Sequence, residues 1–237
     1  MLLPGGCVQP SLAPVIDSAT ARVLGQLGIQ LILGGGWCGA VSHHLSATAR
    51  AKDYARRNID AWWPHIEAGA EANVSNASGC GVMLKDYAHL LSDDPIYADK
   101  AKRIAGLSRD IVEILEAEDL SSLKSAKTCK RISFHAPCTL QHGQGLAGRV
   151  EALLHRAGYE LLPVSDAHLC CGSAGTYSIT QPQLSQQLRD NKLAALNQGS
   201  PDLIATANIG CLLHLAAVSD DSVKHWITLF DAGMTNE

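Results

Sequence analysis

The sequence has little of what marks several protein classes. Its net charge is −4, so no basic excess indicates binding to nucleic acid or to an anionic membrane surface. No apolar run is long enough for a transmembrane helix, because Gln26, Gln30 and several glycines interrupt the most apolar stretch, Val23 to Val41. The N-terminus lacks the basic region and long apolar run of a secretory signal. We therefore expect a cytoplasmic protein with no transmembrane segment and no nucleic-acid partner.

Familiar site motifs are also missing. The run Gly34-Gly35-Gly36 has neither the Gly-Lys-Ser/Thr ending nor the G-x-G-x-x-G spacing of nucleotide-binding loops. The cysteines form neither the paired C-x2-4-C knuckles of zinc fingers nor the compact C-x2-C-x2-C run of ferredoxins. No Ser/His/Asp or Cys/His arrangement indicates a nucleophile. We therefore predict no catalytic residue in this polypeptide alone.

Cysteine, in contrast, is abundant. The chain has 237 residues, of which 46% are hydrophobic, and this is enough for the core of one large or two smaller globular domains. It contains eight cysteines. Without a secretory signal we expect a reducing compartment, where clustered cysteines are more often metal or redox ligands than disulfides.

The most informative stretch is Cys170-Cys171-Gly172. Adjacent cysteines do not easily form a disulfide with each other, but both can face one metal centre if the backbone turns sharply, which Gly172 permits. Cys138 lies upstream and Cys211 downstream, each after a short apolar segment that ends in glycine or proline. These four thiols predict one convergent metal site.

The landmark residues recur at an offset of about 131 residues. The matched cysteines are Cys7 with Cys138, Cys38 with Cys171, and Cys80 with Cys211. A near-constant offset is hard to obtain by chance, so it predicts two homologous halves. We expect a first cysteine-rich domain at residues 1–91, a helical connection at 92–127 and a second cysteine-rich domain at 128–237.

Strand and helix patterns alternate along both halves. Short buried strands are predicted at Ile29–Leu33, Ala72–Val74, Arg131–Phe134, Tyr159–Leu162 and Leu203–Ala207. The longest helices are predicted at Ala47–Ala70, where Pro64 could interrupt the helix, and at Gln183–Asn197.

This alternation predicts an α/β fold made of two homologous Rossmann-like βαβ halves, with small parallel sheets and a pseudo-two-fold duplication. In parallel sheets, ligands collect at the carboxyl ends of the strands. The landmark cysteines follow the predicted strands, so one edge of each sheet can bring them together.

The thiolates themselves leave the metal open, since zinc, copper(I) and iron–sulfur clusters all accept soft sulfur ligands. Ligands drawn from separate loops of a folded domain fit a cluster in a preformed pocket. A thiolate-bound zinc domain, acting as a structural or binding module, is the alternative.

The pattern C…CCG…C, present twice, resembles the tandem cysteine-rich (CCG) domains of heterodisulfide reductase and its relatives. Four local segments are similar to one branch of that family, the iron–sulfur subunits of bacterial glycolate oxidases (glycolate dehydrogenases). These segments are Gly6 to Pro10, Cys38 to Leu45, Arg57 to Pro64 and Ser78 to Gly81.

The resemblance implies an electron-transfer subunit with an iron–sulfur cluster; 4Fe–4S is the first candidate, and the sequence leaves the cluster type open. The resemblance also implies a partner subunit whose FAD oxidises glycolate to glyoxylate, and attachment to the inner membrane through that complex. Neither the sequence nor the resemblance identifies the electron acceptor. Cluster ligands are expected at the second site and, in the first half, at the matching cysteines: Cys138, Cys170, Cys171, Cys211, Cys7, Cys38 and Cys80.

Three departures from the family pattern affect these expectations. Trp37 stands where the first CCG motif has a cysteine, so the first half keeps three thiols, with His43 or His44 as candidate fourth ligands. Ala77 and Asn208 stand where the wider family has a further cysteine, which argues against a five-thiolate non-cubane cluster.

The third departure is the missing N-terminal ferredoxin-like domain, which in the family carries two further 4Fe–4S clusters. The chain begins six residues before Cys7, where no strand is predicted. We therefore expect that the chain is a fragment or a non-functional remnant, or that the ferredoxin-like domain is encoded separately.

Further predictions concern three histidines, the remaining cysteine and two tryptophans. His135, His142 and His168 flank the second site and are candidates to donate hydrogen bonds to sulfur or to shuttle protons. Cys129 is expected to be an ordinary thiol, since it has no counterpart in the first half. Trp62 and Trp63 are expected in the core rather than in a docking surface.

Overall fold

Two small parallel sheets form the framework of the protein. The computed structural model describes residues 1–123, 131–219 and 222–231, so Cys129 lies outside the described residues. The first sheet consists of β1 (Leu2–Pro4), β2 (Ile32–Gly34), β3 (Asn73–Ser75) and β4 (Ser108–Asp110). The second consists of β5 (Arg131–His135), β6 (Glu160–Leu161), β7 (Leu203–Thr206) and β8 (Val223–His225).

The two sheets have the same topology. The strand orders are β2-β1-β3-β4 and β6-β5-β7-β8, and every pairing in both sheets is parallel. Parallel strands need crossover helices, and helices connect most of the strands here. The predicted α/β class, with two duplicated βαβ halves, is confirmed.

Helices cover the faces of both sheets. In the first half they are α1 (Gln9–Leu12), α2 (Pro14–Gln26), α3 (Ala40–His44), α4 (Thr48–Glu67), α5 (Ser78–Lys85), α6 (Tyr87–Leu90), α7 (Ala98–Leu107) and α8 (Ile111–Glu116). In the second they are α9 (Arg149–Arg156), α10 (Tyr177–Thr180), α11 (Pro182–Asn197) and α12 (Ile209–Ala216). A π-helix spans Thr139–Gly143, and 3-10 helices span Leu120–Ser122 and Trp226–Phe230.

Helix α4 runs through Pro64 without interruption. Its buried face includes Ile59, Trp62 and Ile66, and the Trp62 Nε1 donates a hydrogen bond to Gly34 O at 3.0 Å. These contacts on both sides of the proline hold the helix together to its last turn. Trp62 therefore belongs to the core as predicted, whereas Trp63 is half-buried, with Nε1 donating to Glu67 Oε1 at 2.8 Å.

Three strands have no counterpart in the sequence prediction. β1 lies before Cys7, where no strand is predicted, and β4 lies within the segment expected to be a helical connection. β4 reads Ser-Arg-Asp and β8 reads Val-Lys-His, so neither has an apolar run that signals a strand. The helices predicted in residues 92–127 are present as α7 and α8, and the domain boundaries at 91 and 128 stay predictions.

One hydrophobic core joins the two halves. Val23 and Val112 of the first half share a cluster with Phe134, Leu153 and Trp226 of the second. Complete burial of each such side chain stabilises the fold by roughly 1.5–3 kcal/mol. The halves are therefore packed as one body, and the loops that carry the cysteines are held facing each other.

An ion pair links helix α2 of the first half to the end of the second half. Arg22 in α2 binds the buried carboxylate of Asp231 through Nε at 3.0 Å and Nη2 at 2.6 Å.

Among the described residues, no helix combines the length and apolar character that a membrane span requires.

Candidate metal centre

Four cysteines of the second half converge at the carboxyl ends of β5 and β7. Cys138 lies just after β5 and begins the π-helix, while Cys211 lies in the first turn of α12, after β7. Cys170 and Cys171 lie in the loop between β6 and α10. This is the edge of the sheet where parallel α/β folds bind their ligands.

The four thiols interact in a chain. Hydrogen bonding with Cys138 and Cys171 lowers the pKa of Cys170 to about 2, and the pKa of Cys138 is raised by the same contact with Cys170. Hydrogen bonding with Cys171 lowers the pKa of Cys211 to about 5, helped by the neighbouring His135. Two of the four sulfurs are therefore favoured as thiolates, the form that binds metals.

A sharp turn at Gly172 makes this geometry possible. Its φ is +89°, and a Cβ at this position would overlap Ser185 O of α11. The backbone N–H of Gly172 donates to Cys170 Sγ at 3.3 Å, and Ser185 Oγ donates to Gly172 O at 2.8 Å. The glycine thus both turns the chain and allows the loop to lie against α11.

A buried lysine adds positive charge to this half. Lys192 in α11 is buried, and its Nζ donates to Asp166 O at 2.7 Å. Burial lowers the pKa of Lys192. Sequence reasoning missed this residue, since a lysine on a polar-looking helix gives no sign of burial.

Three cysteines of the first half form a second group. Cys38 and Cys80 lie 3.3 Å apart, Sγ to Sγ. Hydrogen bonding with Cys80 lowers the pKa of Cys38, and the same contact raises the pKa of Cys80. Burial, followed by the charge of Cys38, raises the pKa of Cys7. Trp37 supplies no ligand, because an indole nitrogen is a donor only. Its ring is 51% exposed and packs on Tyr54 with ring centroids 5.5 Å apart.

The loop that carries Cys38 is held by two buried polar side chains. Asn58 accepts a hydrogen bond from Gly36 N at 2.8 Å and donates to Trp37 O at 3.0 Å. Tyr87 OH donates to Cys38 O at 2.9 Å. Sequence reasoning missed both residues, although an asparagine on the apolar face of α4 is a usable signal of a positioning role.

Both groups of thiols line the same cavity. Its volume is about 240 Å³, and it lies between the two halves. The cysteines in its wall are Cys7, Cys38, Cys80, Cys138, Cys170, Cys171 and Cys211. The sequence predicts two separate groups, one in each half, and the fold places them around one space.

Backbone and side-chain hydrogen bonds close the junction beside this cavity. Ser78 N donates to Ala207 O at 3.1 Å, and Ser78 Oγ lies 2.7 Å from Thr139 Oγ1. Asn208, at the position where the wider family has a further cysteine, accepts from Gly79 N at 3.1 Å. Its Nδ2 lies 3.8 Å from Cys211 Sγ. The asparagine therefore supports the site without supplying a thiolate.

The histidines differ in their positions. His135 is buried in the cavity wall, and one of its ring nitrogens lies within 4.8 Å of both Cys171 Sγ and Cys211 Sγ. His44 also lines the cavity but is exposed. His142 and His168 are exposed, with His142 Nε2 3.4 Å from His168 O.

The donor set fits a metal held by sulfur. The second half brings four thiols together from three loops, and Cys171 and Cys211 are buried. Gly79, Gly175 and Gly210 form part of the cavity wall. An added Cβ would meet Asn208 at Gly79 and Ser173 at Gly210, whereas the space beside Gly175 is open. This chemistry suits an iron–sulfur cluster and also zinc.

Comparison with known proteins establishes the family. The family model described as "Cysteine-rich domain" matches residues 4–85 and 132–216. The chain belongs to this cysteine-rich domain family. The two matched segments coincide with the two duplicated halves, each of which includes its own group of thiols.

The relatives of this cysteine-rich domain protein have names that refer to glycolate oxidase and to lactate utilization. The chain is 51% identical to the glycolate oxidase iron–sulfur subunit of Escherichia coli, over 100% of this chain and 58% of that protein. It is 30% identical to lactate utilization protein A of Bacillus licheniformis, over 88% of this chain and 87% of that protein. The resemblance to glycolate oxidase iron–sulfur subunits is confirmed, and the chain spans less than two thirds of the E. coli relative.

A solved structure shares the fold. A hypothetical protein from Helicobacter pylori superposes with a TM-score of 0.65 over 100% of this chain and 49% of that chain, at 8% identity. At this identity the likeness concerns the fold alone.

Proposed function

We propose that this cysteine-rich domain protein is the iron–sulfur electron-transfer subunit, or the cysteine-rich part of it, of a complex that oxidises glycolate to glyoxylate. The observation that carries the proposal is the single cavity lined by seven cysteines, in a chain 51% identical to a glycolate oxidase iron–sulfur subunit. The lactate-utilization relative is 30% identical, so glycolate is favoured over lactate as the substrate of the complex.

In this proposal the protein's residues hold and shield the cofactor. Cys138, Cys170, Cys171 and Cys211 are the ligands at the second centre, and the three thiols of the first half form a second, less complete centre. An iron–sulfur cluster, when bound, supplies reversible one-electron transfer. Asn208 Nδ2 and the N–H of Gly172 point toward ligand sulfurs, where such donors influence the reduction potential.

The flavin chemistry is proposed to belong to a partner. Glycolate oxidation removes two electrons and two protons from the alcohol carbon and its hydroxyl group, which suits an FAD on another subunit. The thiol cavity then relays these electrons singly toward an acceptor. A cytoplasmic location, at the inner membrane through the partner subunits, is part of the same proposal.

Anaerobic reconstitution tests the cofactor. The protein is supplied with iron and sulfide, desalted, and analysed for bound iron, acid-labile sulfide and visible absorption. The expected product is brown and contains both elements, and Cys171→Ser removes most of the cluster from the second centre. Cys129→Ser is the matched control and is expected to leave the iron content unchanged. A colourless, iron-free wild-type protein would contradict the proposal.

Zinc is the second candidate, because His135, Cys171 and Cys211 place three possible ligand atoms within 4.8 Å of one another, a spacing that one tetrahedral zinc ion can also use. Elemental analysis of protein purified without oxygen distinguishes bound zinc from an iron–sulfur cluster. Stoichiometric zinc without visible absorption would favour a structural or binding domain.

Assembly is tested separately from the cofactor. The subunit is co-expressed with a flavin subunit of the glycolate oxidase type, and the purified complex is assayed for glycolate-dependent dye reduction. Association together with activity is the expected result, with lactate as the competing substrate. Failure of both would support a non-functional remnant.

A further inference from the structure

The environment of His135 is unusual for a buried imidazole. The residue is the last of β5 and is 1% exposed. Within the described part of the chain, neither Nδ1 nor Nε2 makes a hydrogen bond of acceptable geometry. The ring does interact with the Cys211 thiol, whose pKa it helps to lower through hydrogen bonding. Buried polar groups in proteins nearly always have partners, so an imidazole that faces candidate ligand sulfurs and has no well-aligned hydrogen bond is placed to take a metal as its partner.

The ring lies beside two candidate ligand sulfurs. His135 lines the cavity, and one of its nitrogens, Cys171 Sγ and Cys211 Sγ all lie within 4.8 Å of one another. Ligands bound to one metal through bonds of roughly 2.0 Å to nitrogen and 2.3 Å to sulfur are about 3.5 Å apart. The nitrogen and both sulfurs are therefore close enough to be ligands of the same metal centre.

The duplicated half shows that this histidine is specific to the second centre. The residue that matches His135 in the first half is Pro4, which ends β1 and also lines the cavity. A proline side chain offers no ligand atom. The two centres therefore differ by two donors, since the first also has Trp37 where the second has Cys170.

We infer that His135 is a metal ligand, binding through one ring nitrogen beside the four thiolates of the second centre. The inference rests on the proposed function, because it requires that centre to contain a metal cluster. A neutral imidazole ligand adds less negative charge to a cluster than a thiolate does, and histidine ligation raises cluster potentials. Where His135 takes a ligand position that a thiolate would otherwise fill, the second centre is a better electron acceptor than an all-thiolate centre with the same number of ligands.

The test is pulsed electron paramagnetic resonance of the reconstituted protein in its paramagnetic oxidation state. Wild type, His135→Ala, His135→Cys and the control His142→Ala are prepared with ordinary histidine and with nitrogen-isotope-labelled histidine. Wild type and His142→Ala are expected to show a strongly coupled nitrogen that responds to the label. Both His135 variants are expected to lose it.

His135→Cys keeps the inference testable if His135→Ala folds poorly. This variant is expected to retain wild-type iron and sulfide, to lose the nitrogen coupling and to have a lower midpoint potential. A wild-type protein with normal iron and sulfide but no strongly coupled nitrogen would overturn the assignment alone. Coupling that persists in His135→Ala would do the same, whereas a wild type without iron overturns the proposed function as well.

Discussion

Asn208 Oδ1 accepts a hydrogen bond from Gly79 N at 3.1 Å, and this contact joins the cysteine loops of the two halves. The same side chain places Nδ2 3.8 Å from Cys211 Sγ. One amide thus connects the junction between the halves to a candidate ligand. The acceptor and donor roles of the Asn208 side chain can be tested separately, because aspartate keeps the acceptor oxygen and removes the N–H donor.

For Asn208 we expect different effects from two substitutions. Asn208→Ala removes both contacts and lowers the free energy of unfolding by about 1–2 kcal/mol, the value of a partly buried hydrogen bond. It also lowers the reduction potential of the second centre, because a donor to sulfur is lost. Asn208→Asp retains more of the stability but shows the lowered potential. Urea unfolding and redox titration measure the two effects, with the exposed Asn191→Ala as the control.

Gly172 gives a second prediction, with a matched control in the same chain. Gly172→Ala places a Cβ on a residue with a left-handed φ of +89°, and this Cβ also overlaps Ser185 O. Gly69 has a φ of +98°, but no heavy atom lies within 4 Å of the point that an added Cβ would occupy.

Gly69→Ala is therefore expected to cost about 1–2 kcal/mol, the left-handed penalty alone. Gly172→Ala is expected to cost about 1–3 kcal/mol more, from the overlap, and to reduce the iron bound at the second centre. Thermal unfolding and iron analysis of both variants check this. Equal destabilisation by the two substitutions would show that α11 does not constrain the loop.

The sequence predicted much of this architecture, and the failures have physical causes. The cysteine offset and the alternating apolar segments are local patterns, so they located the duplicated halves and the central strands. β4 was not predicted as a strand because its Ser-Arg-Asp sequence is polar, and it forms a strand only by pairing with β3. A sheet edge formed by tertiary pairing leaves no periodic signal in the chain.

The arrangement of the candidate site was harder to predict than its residues. Spacing identified the seven cysteines, but the packing of the two halves decides that they face one cavity. The position of His135 beside Cys171 and Cys211 also depends on tertiary structure, since its sequence context resembles that of any strand end. Asn58 and Tyr87 act through backbone atoms of the Cys38 loop, which no spacing rule encodes.

The ion pair between Arg22 and Asp231 supports a third prediction. The Asp231 side chain is fully buried, and Arg22 donates to both of its carboxylate oxygens. Arg22→Gln weakens hydrogen bonds to a buried charge and is expected to lower the free energy of unfolding by about 1–3 kcal/mol. Urea unfolding measures the loss, and the exposed Arg103→Gln is expected to change stability by less than about 0.5 kcal/mol. Similar values for the two variants would show that the pair contributes little.

Asp110 gives the last prediction, which concerns pH. Its carboxylate is buried, accepts from Val112 N at 3.2 Å and from Gln144 Nε2 at 2.9 Å, and caps α8. Burial raises the pKa of Asp110 from 3.8 to about 6. Between these two values the folded protein binds more protons at this residue than the unfolded chain does. The Asp110 contribution to stability is therefore present below pH 3.8 and is lost as the pH rises through about 6.

Asp110→Asn removes this titration and keeps an acceptor for Val112 N. In the wild type Gln144 Nε2 faces Asp110 Oδ2, so the Gln144 amide has to turn over in the variant. The introduced amide then donates to Gln144 Oε1, a buried atom without a hydrogen-bond partner in the described structure. The variant is therefore expected to be more stable than wild type above about pH 7, by about 2–3 kcal/mol, with the difference shrinking toward about pH 4. Urea unfolding across this range measures it, with Asp99→Asn, whose side chain is 97% exposed, as the control. A difference that does not vary with pH would show that Asp110 keeps its charge at an ordinary pKa, and burial would then not govern its ionisation.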